Sequence, residues 1–207
     1  MKTLLFQGDS ITDCGRTAAP NPDAAMGIGY PFLIQAQLLG NQPGKWDIIN
    51  RGISGNRVVD LYARWKRDAL NLNPDIISIL IGVNDTWHHF NHNNGVGVKR
   101  YDKFYRMLLD WTLEKKADTK FVLMEPFVLN FGAVADSWLD EIKARQEVVR
   151  QISSDYNAVF VPLQKPLNDA LKDAPQEYWL ADGVHPTTAG HYLILKEWMK
   201  AAADLIQ

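Results

Sequence analysis

Ser10 is the residue of this sequence best placed to act as a nucleophile. It closes the tripeptide Gly8-Asp9-Ser10, one residue beyond the apolar run Leu4-Leu5-Phe6. A serine hydroxyl is a weak nucleophile unless a base takes its proton. Of the five histidines, only His185 has a carboxylate at a helpful local spacing, in Asp182-Gly183-Val184-His185-Pro186. A turn there brings the Asp182 carboxylate onto the Nδ1–H of His185, which fixes the tautomer and leaves Nε2 free to accept the serine proton. Attack on a carbonyl creates an oxyanion that needs preorganised donors. The backbone N–H groups of Ser10 and Gly52 and the side-chain amide of Asn84 are the candidates, glycine because it allows close backbone approach. Such a set would carry out acyl transfer through serine.

Elements that can position these residues are legible as alternating short strands and amphipathic helices. The runs Thr3–Phe6, Trp46–Asn50, Asp75–Ile81, Phe121–Met124 and Ala158–Val161 predict five strands. The third is almost continuously apolar, as suits a strand covered on both faces. Helical stripes fall between them: Val58, Leu61, Tyr62, Trp65 and Ala69; Tyr101, Phe104, Tyr105, Leu108 and Trp111; Trp138, Ile142, Val149, Ile152 and Tyr156; and Leu195, Trp198, Met199, Ala202 and Leu205. A further helix is expected over Tyr30 to Leu39. This alternation predicts one α/β domain over residues 1–207, a three-layer α/β/α sandwich around a five-stranded parallel sheet in the flavodoxin-like order 2-1-3-4-5. Open parallel sheets hold ligands beyond the carboxyl ends of their strands. Strands 1, 2 and 3 end in Gly8-Asp9-Ser10, Gly52-Ile53-Ser54-Gly55-Asn56 and Gly82-Val83-Asn84-Asp85, and the order 2-1-3 makes these ends neighbours. The polar segment Asn91 to Gly97 is expected to be a surface loop.

Taken in order, Gly8-Asp9-Ser10-Ile11, Gly52, Gly82-Val83-Asn84-Asp85 and Asp182-Gly183-Val184-His185-Pro186 resemble the SGNH, or GDSL, hydrolases along nearly the whole chain. Isoleucine at position 11 stands where the family name has leucine. The resemblance implies Ser10 as nucleophile, His185 as base, Asp182 as its partner, and Ser10, Gly52 and Asn84 as the oxyanion hole, with no cofactor. Stretches such as Asp60-Leu61-Tyr62-Ala63-Arg64-Trp65 and Ile81-Gly82-Val83-Asn84-Asp85-Thr86-Trp87 are similar to the intracellular acetylxylan esterase branch. That narrower match implies an acetylated-sugar substrate and a homo-oligomer. Rival readings are a lysophospholipase or thioesterase, which would need an apolar gully beside Ser10, and a silent carbohydrate-binding module, which would lack a triad member.

The remaining chemistry-bearing residues have quieter readings. His88 and His92 would share a face if their segment were helical. The surrounding asparagines and glycines favour a loop, and no carboxylate spacing completes a metal site. Trp87 and Trp179 each lie near a catalytic block and are candidates for stacking on substrate, whereas Trp65, Trp111, Trp138 and Trp198 sit on helical stripes as core or interface. Arg57 reads as a solvated helix face, and Arg64 as a substrate-side residue or a brace for the site. Asp9 is expected to bond nearby backbone N–H groups and Asp85 to cap the loop after strand 3. Cys14 has no base near it in sequence and is expected to pack as a small side chain.

Composition narrows the class further. The 207 residues include 46% hydrophobic and 22% charged types, within the globular range and outside the disordered one. A formal charge of −2 argues against a nucleic-acid-binding surface. A single cysteine excludes an internal disulfide and a cysteine-based zinc site. No apolar run approaches a membrane span, and Leu4-Leu5-Phe6 is too short for a signal-peptide core. The expectation is a cytoplasmic protein without membrane partners.

Overall fold

The computed structural model describes residues 1–17 and 23–207. Five parallel strands, β1 (Lys2–Gly8), β2 (Trp46–Asn50), β3 (Ile76–Leu80), β4 (Lys120–Met124) and β5 (Val159–Val161), form one sheet in the order β2-β1-β3-β4-β5. This is the predicted order. The described helices are α1 (Ser10–Asp13), α2 (Tyr30–Asn41), α3 (Val58–Asp68), α4 (Val83–His92), α5 (Val98–Lys115), α6 (Asp136–Asp155), α7 (Gln164–Ala170), α8 (Gln176–Trp179) and α9 (Thr188–Ala201), with three short 3₁₀ turns.

Successive strand side chains point to opposite faces, so each strand feeds two cores. Leu4 and Phe6 of β1 join Val122 and Met124 of β4 under Tyr30, Ile34 and Leu38 of α2 and Ile194 and Trp198 of α9. Leu5, Ile77 and Leu123 face the other way, under Val58, Leu61 and Trp65 of α3, Tyr105 and Leu108 of α5, and Val149 and Ile152 of α6. The helical stripes read from the sequence are the faces that close these layers. No described helix is long and apolar enough to cross a membrane.

Register aligns the chemistry-bearing ends. Phe6 pairs with Asn50 and Gly8 with Leu80, so the three strands stop nearly level. The chain leaving β2 stays on β1: Arg51 N–H donates to the Phe6 carbonyl at 2.9 Å and Ile53 N–H to the Gly8 carbonyl at 3.1 Å.

The segment after β3 departs from the expected loop. Residues Val83 to His92 form α4, and Asn93 ends it in the left-handed region at φ 48°. Asparagine and histidine are only modestly poor helix formers, and tertiary anchoring overrides that preference. Asp85 is buried beneath α3, Val96 N–H returns to the Asp85 carbonyl at 3.2 Å, and Gly95 lies so close to His89 that a Cβ would meet the His89 Cβ at 2.3 Å. The loop is confined to the residues after Asn93.

Candidate active site

Ser10 opens α1 on a tight turn off the end of β1. Asp9 caps that turn, its Oδ1 accepting from Ile11 N–H at 3.0 Å. Gly8 is required by this turn: a Cβ there would lie 2.2 Å from Thr12 Oγ1 and 2.4 Å from the Leu80 carbonyl. From the far end of the chain, the segment 180–186 forms a narrow turn closed by an antiparallel bridge between Leu180 and Pro186. Gly183 adopts φ +90° in it, where a Cβ would meet the Phe131 carbonyl at 2.3 Å.

These two turns bring Ser10, His185 and Asp182 together. Ser10 Oγ lies 2.9 Å from His185 Nε2, and His185 Nδ1 lies 2.7 Å from Asp182 Oδ2. The other Asp182 oxygen accepts from the N–H groups of Val184 at 3.0 Å and His185 at 2.8 Å. Burial alone would raise the Asp182 carboxyl, but these donors outweigh it and hold it below the ordinary carboxylate value. An ionised Asp182 keeps the proton on Nδ1, so Nε2 accepts from the serine hydroxyl.

Asn84 stands in the first turn of α4, its Nδ2 donating to the Asn56 carbonyl at 3.2 Å. A cavity of about 330 Å³ opens over the triad, lined by Ser10, Ser54, Gly55, Asn84, Trp87, His88, His92 and His185. Gly52 requires a correction. It is buried, and its N–H donates to Asn50 Oδ1 at 2.8 Å, so it is not available to an oxyanion. Gly52 is needed instead for close packing, because a Cβ would meet Asp13 N at 2.4 Å. The glycine on the cavity wall is Gly55, at φ +81°, and no described residue accepts from its N–H. The signal for it was present in Ser54-Gly55-Asn56, a turn tripeptide whose glycine takes the positive φ.

The substrate-contact candidates divide. Trp87 lines the cavity, its ring 5.9 Å from that of His185 and braced from behind by Trp138 at 5.3 Å. Trp179 does not; it lies on α8 and borders a separate groove with Tyr192 and Lys196. Arg64 is not a cavity residue either and acts as the brace. Its guanidinium, nearly buried, bonds Asn56 Oδ1 at 2.7 Å, Gln7 Oε1 at 2.9 Å, and Asp68 and the Gly8 carbonyl at 3.3 Å each. Arg57 pairs with Asp60 at 2.8 Å and donates to the Asn94 carbonyl at 2.6 Å, so it ties α3 to the end of α4 rather than standing in solvent.

Two features had no local sequence signal. Cys14 does have a histidine: His191 Nε2 lies 3.3 Å from its sulfur, while His191 Nδ1 accepts from Tyr30 N–H at 3.1 Å. That acceptor role puts the proton on Nε2, pointing at the sulfur, and burial pushes His191 down to about 4. His191 is thus a neutral donor to a protonated thiol, which burial raises further. Beneath the site lie two buried carboxyls. Burial pushes Asp9 up to about 7 and Asp85 up to about 8. Among the described residues no group of three or more histidine, cysteine or acidic side chains is placed to hold a metal.

Comparison with known proteins places this geometry. Residues 6–193 match the model of the GDSL-like lipase/acylhydrolase family. The sequence is 36% identical over 206 residues to an acetylxylan esterase of Geobacillus stearothermophilus, covering 95% of this chain and 92% of that one. The structure superposes with a TM-score of 0.93 on a chain from Parabacteroides merdae described as a GDSL-like lipase, at 41% identity and covering 100% and 96% of the two chains. Two catalytic mutants of the Geobacillus acetylxylan esterase, one with a serine and one with an aspartate replaced by alanine, match with a TM-score of 0.85 at 32% identity, covering 97% and 93%.

Proposed function

The chain belongs to the GDSL-like lipase/acylhydrolase family and is a carboxylic ester hydrolase, and on that premise we propose that it removes acetyl groups from sugar esters such as acetylated xylo-oligosaccharides. The observation that carries this reading is the cavity wall: apart from the triad residues it offers an indole, two imidazoles, an amide, a serine and a glycine, with no aliphatic side chain among them. An aromatic face with polar neighbours suits a pyranose ring. A fatty chain would need an apolar wall to gain its roughly 0.8 kcal/mol per buried CH₂.

In this mechanism Ser10 Oγ attacks the acetyl carbonyl as its proton passes to His185 Nε2. The oxyanion is held by the N–H groups of Ser10 and Gly55 and by Asn84 Nδ2. The tetrahedral species collapses, and His185 returns the proton to the leaving sugar hydroxyl. Water, deprotonated by His185, then attacks the acetyl-Ser10 ester and releases acetate. Asp182 holds the imidazole and offsets its charge while it is protonated. Action inside the cell and assembly into a homo-oligomer belong to the same reading, through the resemblance to acetylxylan esterases, and light scattering on the purified chain tests the assembly.

A series of aryl esters from acetate to octanoate, with acetylated xylo-oligosaccharides alongside, tests the substrate. Acetate should give the highest kcat/KM, with a steep fall by butyrate or hexanoate, and the oligosaccharides should release acetate. Steady improvement toward octanoate would favour a lysophospholipase or thioesterase and overturn the sugar assignment.

A further inference from the structure

Asn84, Trp87, His88 and His92 all line the cavity and all lie on α4, at positions i, i+3, i+4 and i+8. That spacing makes them one stripe of the helix. At roughly 1.5 Å per residue the stripe runs about 12 Å from the oxyanion amide outward, the reach of a disaccharide. Ser54 and Gly55 face it from the loop after β2, so the cavity is a groove with α4 as one wall.

The groove has a direction. The leaving hydroxyl must receive its proton from His185 Nε2, so the alcohol half of the ester lies on the His185 side of Ser10. The first side chain there is Trp87, whose ring is 5.9 Å from that of His185. Beyond it along the same stripe stand His88 and His92, their rings 5.4 Å apart and edge to face. Among the described residues neither imidazole makes a hydrogen bond, although both border the cavity. Burial, then Arg57 and His92, push His88 below its ordinary value, so it is neutral at neutral pH. A neutral imidazole offers one donor and one acceptor, the pairing a sugar hydroxyl takes. The stripe is held in place, since Gly95 packs against His89 and the Asp85 carbonyl on the flank of α4 and Arg57 pins the Asn94 carbonyl.

We propose that His88 and His92 form a second sugar subsite, binding the hydroxyls of the ring next to the acetylated one, so that the enzyme prefers acetylated disaccharides and longer chains over acetylated monosaccharides. This rests on the sugar-ester reading above and adds to it which residues sense chain length.

The test measures kcat/KM for acetylated methyl xyloside, acetylated xylobiose and an aryl acetate, on the wild type and on His92→Ala and His88→Gln. The wild type should favour the xylobiose ester over the xyloside ester. His92→Ala should lower that preference about five- to tenfold, through KM rather than kcat, as the loss of one hydrogen bond predicts. His88→Gln, which keeps a donor and an acceptor, should retain more of the preference than His92→Ala. An unaltered ratio in His92→Ala, with both sugar esters still cleaved, overturns the subsite and leaves the sugar reading standing. A changed acyl-length preference at an unaltered ratio assigns these residues to the acyl side and overturns it as well. Wild-type enzyme active on the aryl acetate but inert on both sugar esters removes the sugar reading and the subsite together.

Discussion

Both carboxyl oxygens of Asp85 lie 3.2 Å from the backbone N–H of Val58, the first residue of α3, so the residue after Asn84 fastens the helix that carries Asn84 to the start of its neighbour. Asp85 is fully buried, and burial pushes its carboxyl up to about 8, against the lowering effects of Arg145 and the Val58 N–H.

A raised folded-state value means that the folded chain keeps this proton up to about pH 8, whereas the unfolded chain releases it near the ordinary value of 3.8. Between those limits the unfolded state binds fewer protons, so stability falls as pH rises. Asp9, pushed up to about 7, acts with the same sign. Urea midpoints of the wild type should therefore drop between pH 5 and pH 8. Asp85→Asn should flatten that drop by on the order of a few kcal/mol. Parallel pH profiles for the two proteins would show that Asp85 does not hold the proton.

Ser10→Ala should abolish ester hydrolysis and leave the fold intact, since a small hydroxyl is lost and nothing is overpacked. A serine-directed phosphonate should add one label per wild-type chain, at Ser10, read by peptide mass. Labelling at Cys14, with activity kept in Ser10→Ala, would reject the mechanism.

Asn84→Ala should lower kcat by about 10²–10³ with little change in KM, because one amide N–H is held by the Asn56 carbonyl and the other gains its full partner only when the oxyanion forms. A loss confined to KM would mean that Asn84 binds the ground-state ester.

Arg64→Lys should cost both stability and rate. Lysine can keep the ion pair with Asp68, but a point charge cannot reach the Gly8 carbonyl, Gln7 and Asn56 at once. Those contacts set Ser10, Gly55 and Asn84 relative to one another. A fall of about 1–3 kcal/mol in urea-measured stability and about ten- to a hundredfold in kcat, with KM nearly constant, is expected. A change in KM alone would place Arg64 against the substrate.

The sheet was legible in the amino-acid pattern, because strand alternation and helical stripes are local patterns that burial enforces one element at a time. The pairing of Asp182 with His185 was legible for the same reason, since a turn of three residues closes that bond within the segment. The rule for strand ends also placed Ser10, Asn84 and the chain after β2 at one sheet edge. Which glycine faces the cavity was settled by packing, although Ser54-Gly55-Asn56 carries a turn signal. The sequence points to Gly52 and not to Gly55, and it is Asn50 that rules Gly52 out: its Oδ1 takes the Gly52 N–H while its Nδ2 bonds the Thr12 and Met26 carbonyls. Asparagines and glycines suggested a loop where α4 stands, because the contacts that hold it come from α3 and from the returning chain at Gly95 and Val96. Trp87 and Trp179 are alike in sequence context, but α8 holds the Trp179 indole in a separate groove while α4 sets Trp87 on the cavity wall. The Cys14–His191 contact spans 177 positions of sequence. Local spacing can specify a bond within one turn, but which of several similar groups turns inward depends on partners that only the packed chain brings into reach.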